Sequence, residues 1–517
     1  MTLNSSDTVR PVPAGFGSLL RTVFITGGAT LGAQGAGYIL VFVLTLSLGV
    51  GGFGLFSLAQ TVMNTSALIA TLGLDIAVVR FAAWYRGRDD DRKLQTLLLS
   101  TGITILIWSV IVAAGLWGAA PFLARTAFKE PALIPSIRIV CLGIPLQALF
   151  IFFVSGLHGC GLTTRRVYAE QIILPFSRLV FVVGAMAAWR NVDAALWAMV
   201  AASGFSMAVA GTWLVREKQF LKSPAAHFSD WKGWIKYTFP AFLDSLLVTS
   251  LGGSLEILLL GMFGTKEMVG IYGVVLRFKF VLSLPMGAFN TALAPLISEI
   301  QARSDTSRLK ELFGAATRWV MVLSLPLVLM NVVFGRALLG LFGPAFALGY
   351  TTLILMSLGQ LVNVCVGPVG HILLMTGYSR IRLLNSLVLL AIQLGAGLLL
   401  IPAWKLEGAG VVAALSVAVI SLLGLIEVFA LLRIHPYQRG MIKPLLACGL
   451  AGGAAALAQA GLAKTLWIQV LLLGGMLVAY ACLLVGLGVN PGDRQFFLRA
   501  KDVWAAHRPW KRGRTKT

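Results

Sequence analysis

Residues 23–50 read VFITGGATLGAQGAGYILVFVLTLSLGV and contain no charged side chain. A helix needs roughly 20 apolar residues to cross the hydrocarbon core of a bilayer, which is about 30 Å thick. Similar runs follow along the whole chain of 517 residues, which is 58% hydrophobic and only 12% charged. A soluble fold of that length could not hide so much apolar surface from water. The sequence therefore predicts an all-α polytopic membrane protein.

The apolar runs, separated by short polar breaks, predict about fourteen transmembrane helices. These helices are placed at residues 23–48, 53–76, 96–118, 137–157, 168–188, 194–214, 237–261, 269–292, 315–335, 349–370, 383–402, 409–431, 444–462 and 466–487. The predicted regions are a cytoplasmic N-terminal segment (1–22), an N-lobe of helices 1 to 6 (23–216), a C-lobe of helices 7 to 12 (217–433), two appended helices (434–487) and a basic cytoplasmic tail (488–517). Since the first run leads into the second span without an A-x-A-like cleavage site, we expect it to stay in the protein.

The loops between these spans separate by charge. Thirty of the 42 lysines and arginines fall in loops and tails on one side of the predicted membrane. Seven fall on the other side, namely Arg125, Lys129, Arg190, Lys266, Arg336, Lys405 and Lys464. Because cytoplasmic loops carry the excess of Lys and Arg, both termini are predicted to be cytoplasmic in a bacterial inner membrane. Topology thus explains the net charge of +22 better than nucleic-acid binding does.

Several loop signatures recur about 216 residues apart, which indicates an internal duplication. Gly54-Leu55-Phe56-Ser57 aligns with Gly270-Ile271-Tyr272-Gly273, and Arg92 aligns with Arg308. Six spans per repeat make both halves enter the membrane in the same direction. Parallel repeats of this kind are a transporter design with the substrate site between the lobes. The alternative is an old duplication that now serves packing alone.

Short motifs in the first half resemble those of the multidrug/oligosaccharidyl-lipid/polysaccharide exporter superfamily. Residues 52–57 read Gly-Phe-Gly-Leu-Phe-Ser and match a G-x-G-x-F-S pattern. Residues 70–75, followed by Val79-Arg80-Phe81, resemble the A-x-L-G-L-d-x-x-x-x-R-f signature of its polysaccharide branch, the Wzx-type flippases. The resemblance covers nearly the whole chain, from about residue 20 to residue 490.

The resemblance implies a V-shaped, alternating-access exporter that moves an undecaprenyl-diphosphate-linked oligosaccharide from the cytoplasmic to the periplasmic leaflet. Its products would be surface or exopolysaccharides of the lipopolysaccharide O-antigen type. The implied partners are the lipid-linked substrate, membrane lipids and other polysaccharide-assembly proteins. No ATP hydrolysis and no cofactor are implied, in agreement with the lack of a G-x-x-x-x-G-K-[ST] loop. Coupling to H+ or Na+, as antiport, is expected.

Five cations lie inside predicted spans, and four of them, Arg178, Arg277, Lys279 and Arg138, are candidates for substrate binding. An ionised side chain at mid-bilayer costs about 2.5 to 3.5 kcal/mol, so these groups should face water or a partner. One hypothesis is that they line a cationic cavity between the lobes, which holds the diphosphate and acidic sugars, because arginine can bind two phosphate oxygens at once. The alternative is internal pairing, for example of Arg277 or Lys279 with Glu256, or long stems that reach the interface.

The acids in the spans have two interpretations. Asp244 and Glu256 lie twelve residues apart on span 7, which is too far for them to form one site. Each of them could couple H+ or Na+ entry to export, or could form a salt bridge. Asp75 and Arg80 close span 2 at the cytoplasmic edge, where an ion-paired gate is favoured over substrate contact.

Neutral polar side chains are further candidates for substrate contact. They could bind sugar hydroxyls in the cavity or form hydrogen bonds between helices. These residues are Gln60, Asn64, Asn290, Gln360 and Asn363. The five cysteines include no C-x-x-C pair, so no metal site is expected.

Three other functions remain as alternatives. Two belong to the same superfamily, an ion-coupled multidrug exporter and a peptidoglycan-precursor flippase. The third is a membrane oligosaccharide polymerase, which needs a sizeable outward loop with catalytic residues. The longest outward loop here, residues 119–136, has one acid, Glu130, and no histidine. We therefore expect a transporter without catalytic residues rather than an enzyme.

Overall fold

The computed structural model describes residues 16–216, 234, 238, 242, 251–303, 305–461 and 465–487. These residues are almost entirely helical and contain no strand, so the predicted all-α class is confirmed. In the first half the helices are α1 (Phe16–Thr71), α2 (Leu74–Arg86), α3 (Asp91–Phe122), α4 (Leu133–Gly159), α5 (Thr163–Val167), α6 (Leu174–Ala188) and α7 (Val192–Val215), with π-helical turns at Leu123–Ala127 and Tyr168–Ile173. In the second half they are α8 (Leu251–Phe263), α9 (Lys266–Ala302), α10 (Thr306–Gly340), α11 (Tyr350–Val366), α12 (Val369–Met375), α13 (Ser379–Leu432), α14 (Ile442–Gly461) and α15 (Leu466–Gly486), with 3-10 turns at Pro344–Gly349 and Arg439–Met441.

Eleven helices in the described part of the chain are long and apolar enough to cross a membrane. Two of them are too long for one crossing, since 44 residues of α1 and 53 residues of α13 make about 66 and 80 Å of helix. Each contains one non-helical residue, Gly49 (φ 67°) in α1 and Lys405 (φ 49°) in α13, and is therefore two crossings joined at a turn. About half of the predicted seventh span, 237–261, lies outside the described residues, so the count of fourteen stays a prediction.

The second predicted span, residues 53–76, ends earlier than expected. Leu72 (φ 51°) and Gly73 (φ 72°) adopt left-handed conformations, so α1 ends there and the chain restarts as the separate helix α2. Asp75 and Arg80, which we predicted to close span 2, therefore lie on α2, outside that span. A left-handed leucine is unfavourable in isolation, and for that reason the residue pattern did not predict a break here.

The first half is organised around α4, which packs against α1, α3 and α7. The buried side chains at its core include Leu97, Ile105, Ile137, Ile144 and Leu196. In the second half α11 packs against α10 and α13, and the appended helices α14 and α15 pack against each other and against α10.

The two halves meet where α1 crosses α9, at a pair of glycines. A Cβ atom on Gly54 would overlap the carbonyl oxygen of Lys266, and one on Gly270 would overlap the carbonyl oxygen of Val50. The main chains are therefore in direct contact, which only glycine permits. Gly54 and Gly270 are the residues that the repeat offset of 216 aligned in the sequence. Contact between equivalent residues is expected where two repeats meet on the axis that relates them.

The loops next to this contact are also tied together. Lys266 Nζ lies 3.2 Å from Glu130 Oε2, which joins the loop before α4 to the start of α9. Lys405 Nζ donates a hydrogen bond to the carbonyl oxygen of Phe263, at 2.8 Å. Lys266 and Lys405 both belong to the seven loop cations on the side predicted to be outward. We call this side of the bundle the sparse face; it is closed by the Gly54–Gly270 contact and the Glu130–Lys266 ion pair, which join the two halves.

We expect the substitution Gly54→Leu to lower the thermal stability of the detergent-solubilised protein. Overpacking a well-packed contact costs about 1 to 3 kcal/mol, and here the obstacle is backbone, which has little room to relax. Gly35→Leu on the same helix is the matched control, because a Cβ on Gly35 meets no atom within 4 Å. The measurement is the temperature at which half of the protein remains monodisperse. Equal losses for the two variants would contradict the close contact at Gly54.

Candidate functional site

A cavity of about 570 Å³ lies between the two halves, beneath the glycine contact. Side chains from α1 and α6 form its wall on one side, and side chains from α8, α9 and α11 form the other. Six of the predicted site residues line it, namely Arg178, Arg277, Lys279, Gln60, Asn64 and Gln360. Phe53, Phe56 and Phe280 add apolar surface. The structure thus brings three cations from the spans into one cavity.

Arg178 is held in place by Gln147, which is itself bound by Ser203; the sequence analysis missed both residues. Its Nη2 donates a hydrogen bond of 3.3 Å to Oε1 of Gln147 on α4, and the Ser203 hydroxyl on α7 donates to the same oxygen at 3.1 Å. Gln147 and Ser203 are both buried. The buried Nε of Arg178 has no hydrogen-bond partner within the described residues, so it remains available to a ligand. A glutamine inside an apolar span was the sequence signal for this contact, because such a side chain must find a partner.

Arg277 faces the cavity from the opposite half. Its side chain, which belongs to α9, is exposed and lines the cavity. The guanidinium lies near Gly37 on α1, where a Cβ would be 3.7 Å from Nη1. The backbone carbonyl oxygen of Arg277 accepts a hydrogen bond of 2.5 Å from the Tyr38 hydroxyl, which links α9 to α1.

Arg178 and Arg277 line the same cavity, so their like charges repel each other across it. Among the described residues neither guanidinium forms an ion pair with a carboxylate. Two like charges in one wet cavity, without a protein counter-ion, attract an anion from solution. The cavity is therefore suited to a negatively charged group.

Lys279 and Glu256 lie on the α8–α9 side of the cavity. Glu256 is buried; its Oε1 accepts a hydrogen bond of 3.2 Å from Gln393 Nε2, and its Oε2 has no partner in the described part of the chain. Lys279 attracts this carboxylate electrostatically but forms no ion pair with it within 4 Å, so the predicted pairing is realised only at longer range. Arg277 and Lys279 both line the cavity, although their side chains leave the helix about 200° apart around its axis.

The amide side chains in the cavity retain hydrogen-bonding capacity. Gln60 Nε2 donates to Asn64 Oδ1 at 3.0 Å, which leaves the buried Gln60 Oε1 without a partner. The buried Nε2 of Gln360 likewise has none within the described residues. These atoms can accept from or donate to a polar ligand.

Other predicted site residues lie elsewhere. Arg138 is exposed on the outer surface of α4, with its guanidinium carbon 5.7 Å from the centre of the Trp117 ring, so it stacks on an aromatic side chain instead of lining the cavity. Asn290 and Asn363 line a second pocket. Asp244 lies outside the described residues.

Asp75 and Arg80 do not form an ion pair with each other, and their role as a cytoplasmic gate stays a prediction. They lie five residues apart on α2, and so point about 140° apart around its axis. The Arg80 guanidinium lies 6.0 Å from the centre of the Phe81 ring, and Oδ1 of Asp75 is buried without a hydrogen-bond partner in the described residues. Within the same residues, no group of three His, Cys, Asp or Glu side chains could hold a metal ion.

The fold and the cavity define a multi-span, all-α membrane protein with a cavity between its two halves. Residues 19–301, more than half of the chain, match the family described as "Polysaccharide biosynthesis protein", and the chain belongs to that family. The sequence resemblance to the polysaccharide branch of the exporter superfamily is thereby confirmed.

Two curated relatives and two solved structures are similar to the chain. The chain is 24% identical to the probable flippase AglR of Haloferax volcanii, over 66% of this chain and 68% of AglR. It is 21% identical to the membrane protein EpsK of Bacillus subtilis (strain 168), over 58% of this chain but only 61% of EpsK.

The structure of the lipid II flippase MurJ in an inward closed conformation matches with a TM-score of 0.69 and 12% identity, over 89% of this chain and 98% of MurJ. An inward-facing multidrug resistance MATE family transporter matches with a TM-score of 0.65 and 15% identity, over 77% of this chain and 94% of that one. At these identities the two structures support the fold alone.

We expect Gln147→Leu to destabilise the protein, because it leaves the Arg178 guanidinium and the Ser203 hydroxyl without their common acceptor. An unpaired buried polar group costs about 1 to 3 kcal/mol. Gln147→Glu keeps an acceptor at the same place and adds a counter-charge, so it should retain stability. Unfolding temperatures in detergent test this, and an equal loss for the glutamate variant would contradict the role of the Gln147 oxygen.

Proposed function

We propose that this protein is a flippase that moves an undecaprenyl-diphosphate-linked oligosaccharide across the bacterial inner membrane for polysaccharide synthesis. The observation that carries the proposal is the pair Arg178 and Arg277, which face one cavity from opposite halves without a carboxylate partner in the described residues. Membership of the polysaccharide biosynthesis family supports it, and so does the similarity to a probable flippase.

A diphosphate fits the chemistry of this cavity. It carries about two negative charges at neutral pH, and each guanidinium can hold two phosphate oxygens through parallel hydrogen bonds. Lys279 adds a third positive charge at the wall. A cavity of about 570 Å³ is in the size range of pockets for small ligands. We infer that it takes the charged head of the substrate while the polyprenyl chain stays in lipid.

In an alternating-access mechanism, the closed sparse face is the side that has to open for the substrate to be released. With both termini in the cytoplasm, as the loop charges favour, the sparse face is periplasmic and the described conformation faces inward. The head group enters from the cytoplasmic side and neutralises the repulsion between the two arginines. Release to the outside requires the Gly54–Gly270 contact and the Glu130–Lys266 ion pair to separate.

Glu256 is our candidate for coupling to H+ or Na+. It is a buried carboxylate with one oxygen that has no hydrogen-bond partner in the described residues, and it attracts Lys279, which lines the cavity. A cation on Glu256 would weaken its attraction for Lys279 and free that side chain for the substrate. Asp244 remains a second candidate from the sequence.

A peptidoglycan precursor is the second candidate substrate, because MurJ is named as a lipid II flippase and shares the fold. A cationic drug fits poorly, since three positive charges line the cavity and would repel it. We propose transport without an enzymatic step; loss of a flippase would trap lipid-linked repeat units inside the cell, whereas loss of a polymerase would leave single exported repeats.

We expect Arg277→Ala and Arg178→Ala each to slow the flipping of an undecaprenyl-diphosphate-linked oligosaccharide in proteoliposomes by about 10- to 100-fold. A hydrogen-bonded contact to a charged group is worth about 1.5 to 3 kcal/mol, which corresponds to this range. Arg277→Lys should recover part of the rate because it keeps the charge and loses the second hydrogen bond. Arg138→Ala is the control, since Arg138 lies on the outer surface. The proposal fails if the control slows flipping as much as Arg277→Ala does.

We further expect Glu256→Gln to retain flipping while abolishing its response to an imposed proton or sodium gradient. The amide cannot take up a proton or hold Na+ through a full charge. The measurement is the flipping rate with and without each gradient. A variant that still responds like the unmodified protein would remove Glu256 from the coupling mechanism.

A further inference from the structure

A second cavity, of about 270 Å³, lies within the C-terminal half and beside the cationic cavity. We call it the amide pocket. Five helical segments contribute polar side chains to its wall, from α9, α11, α12 and both parts of α13. The polar side chains in its wall include those of Asn290, Asn363, His371, Arg382, Asn385 and Ser421.

A break between two helices opens this pocket. The helix α11 ends at Val366, and Gly367 (φ 83°) and Pro368 separate it from α12. A Cβ on Gly367 would overlap the Thr317 side chain, so the chain can turn there only at glycine. Gly370 also lines the pocket, but a Cβ at this position meets nothing within 4 Å. The space in front of Gly370 is therefore open.

The wall offers both donors and acceptors of hydrogen bonds. Asn363 Oδ1 accepts from the Ser421 hydroxyl at 3.0 Å, and Asn385 Nδ2 donates to Glu427 Oε2 at 2.7 Å. Asn290 Oδ1 is buried and has no partner in the described part of the chain. Each side-chain amide has two donors and two acceptor positions, so these contacts leave capacity unused.

This mixture distinguishes the amide pocket from the cationic cavity. An anion accepts hydrogen bonds only, and an apolar ligand uses none, whereas a sugar hydroxyl both donates and accepts. Arg382 and Glu427 place one charge of each sign at or next to the pocket, so we expect neutral hydroxyl groups to be recognised rather than a net charge. The ligand class that fits is a saccharide.

The two cavities follow each other along the same two helices. On α9, Ser283 lines the cationic cavity and Met286 lines the amide pocket. On α11, Gln360 lines the first and Asn363 lines the second. Three residues of helix rise about 4.5 Å, a distance that one sugar–phosphate linkage can span.

We propose that the amide pocket binds one sugar residue of the lipid-linked glycan while the diphosphate occupies the cationic cavity. The proposal rests on the proposed flippase function and adds a site for glycan selectivity in the C-terminal half. The diphosphate supplies affinity that is common to all such lipids, and the amide pocket distinguishes among the sugars attached to it.

The test measures binding to the full chain in lipid nanodiscs. The probes are undecaprenyl diphosphate alone and the same lipid carrying N-acetylglucosamine, galactose or glucose. The intact protein should bind at least one sugar-bearing probe about tenfold more tightly than the bare lipid, which corresponds to one or two good hydrogen bonds. Gly370→Leu fills the pocket, and Asn290→Ala removes an acceptor that has no protein partner in the described residues. Both should lose most of the gain and bind bare undecaprenyl diphosphate as the intact protein does.

Gly395→Leu is the matched control, because a Cβ at this exposed α13 position also meets nothing within 4 Å and lies outside both cavities. It should keep the full gain. The pocket proposal is overturned if no sugar increases the affinity of the intact protein, or if Gly370→Leu weakens bare and sugar-bearing lipids equally. Failure of the flippase proposal looks different, since bare undecaprenyl diphosphate would then not bind, or would bind equally well to Arg277→Ala.

Discussion

A guanidinium cannot rest in the hydrocarbon core of a bilayer without water or a counter-ion, and this chain places two of them there. Arg178 and Arg277 come from different halves and face each other across one cavity, with no carboxylate beside them in the described residues. Hydration or an anion has to compensate for their charge. The two halves are thus kept apart at the depth of these residues, and the wet cleft between them follows from that requirement.

At the sparse face, by contrast, the two halves are in direct contact. Gly54 and Gly270 have no side chains, so the backbones of α1 and α9 touch, and the Glu130–Lys266 ion pair adds a contact between loops. Close packing in lipid gains from dispersion and loses little side-chain entropy when the residues are small. The two parts of the chain are thus in tight contact at one end and repel each other across the cavity below it. In the proposed mechanism an anion in the cavity removes this repulsion and so favours a different arrangement of the two halves.

The breaks in the helices serve different purposes. Gly49 and Lys405 turn the chain between two crossings, so each long helix becomes a hairpin. The break at Gly367 and Pro368 lies inside the bundle, where it exposes backbone and small residues to the amide pocket. Irregular backbone at membrane depth is tolerated where it lines a cavity, because water or a ligand can then satisfy its polar groups.

The sequence by itself determined the class, the approximate positions of the crossings and the cations that need an explanation, because hydropathy and the cost of a charge in lipid are local properties. It also aligned Gly54 with Gly270, since a duplication leaves a fixed offset. Only the tertiary structure decided which way each side chain faces. Arg138 stacks on Trp117 at the outer surface, Gln147 holds Arg178, and Asn290 and Asn363 belong to a second pocket. The physical reason is that the direction of a side chain around its helix has meaning only relative to the neighbouring helices, whose arrangement depends on packing across the whole bundle.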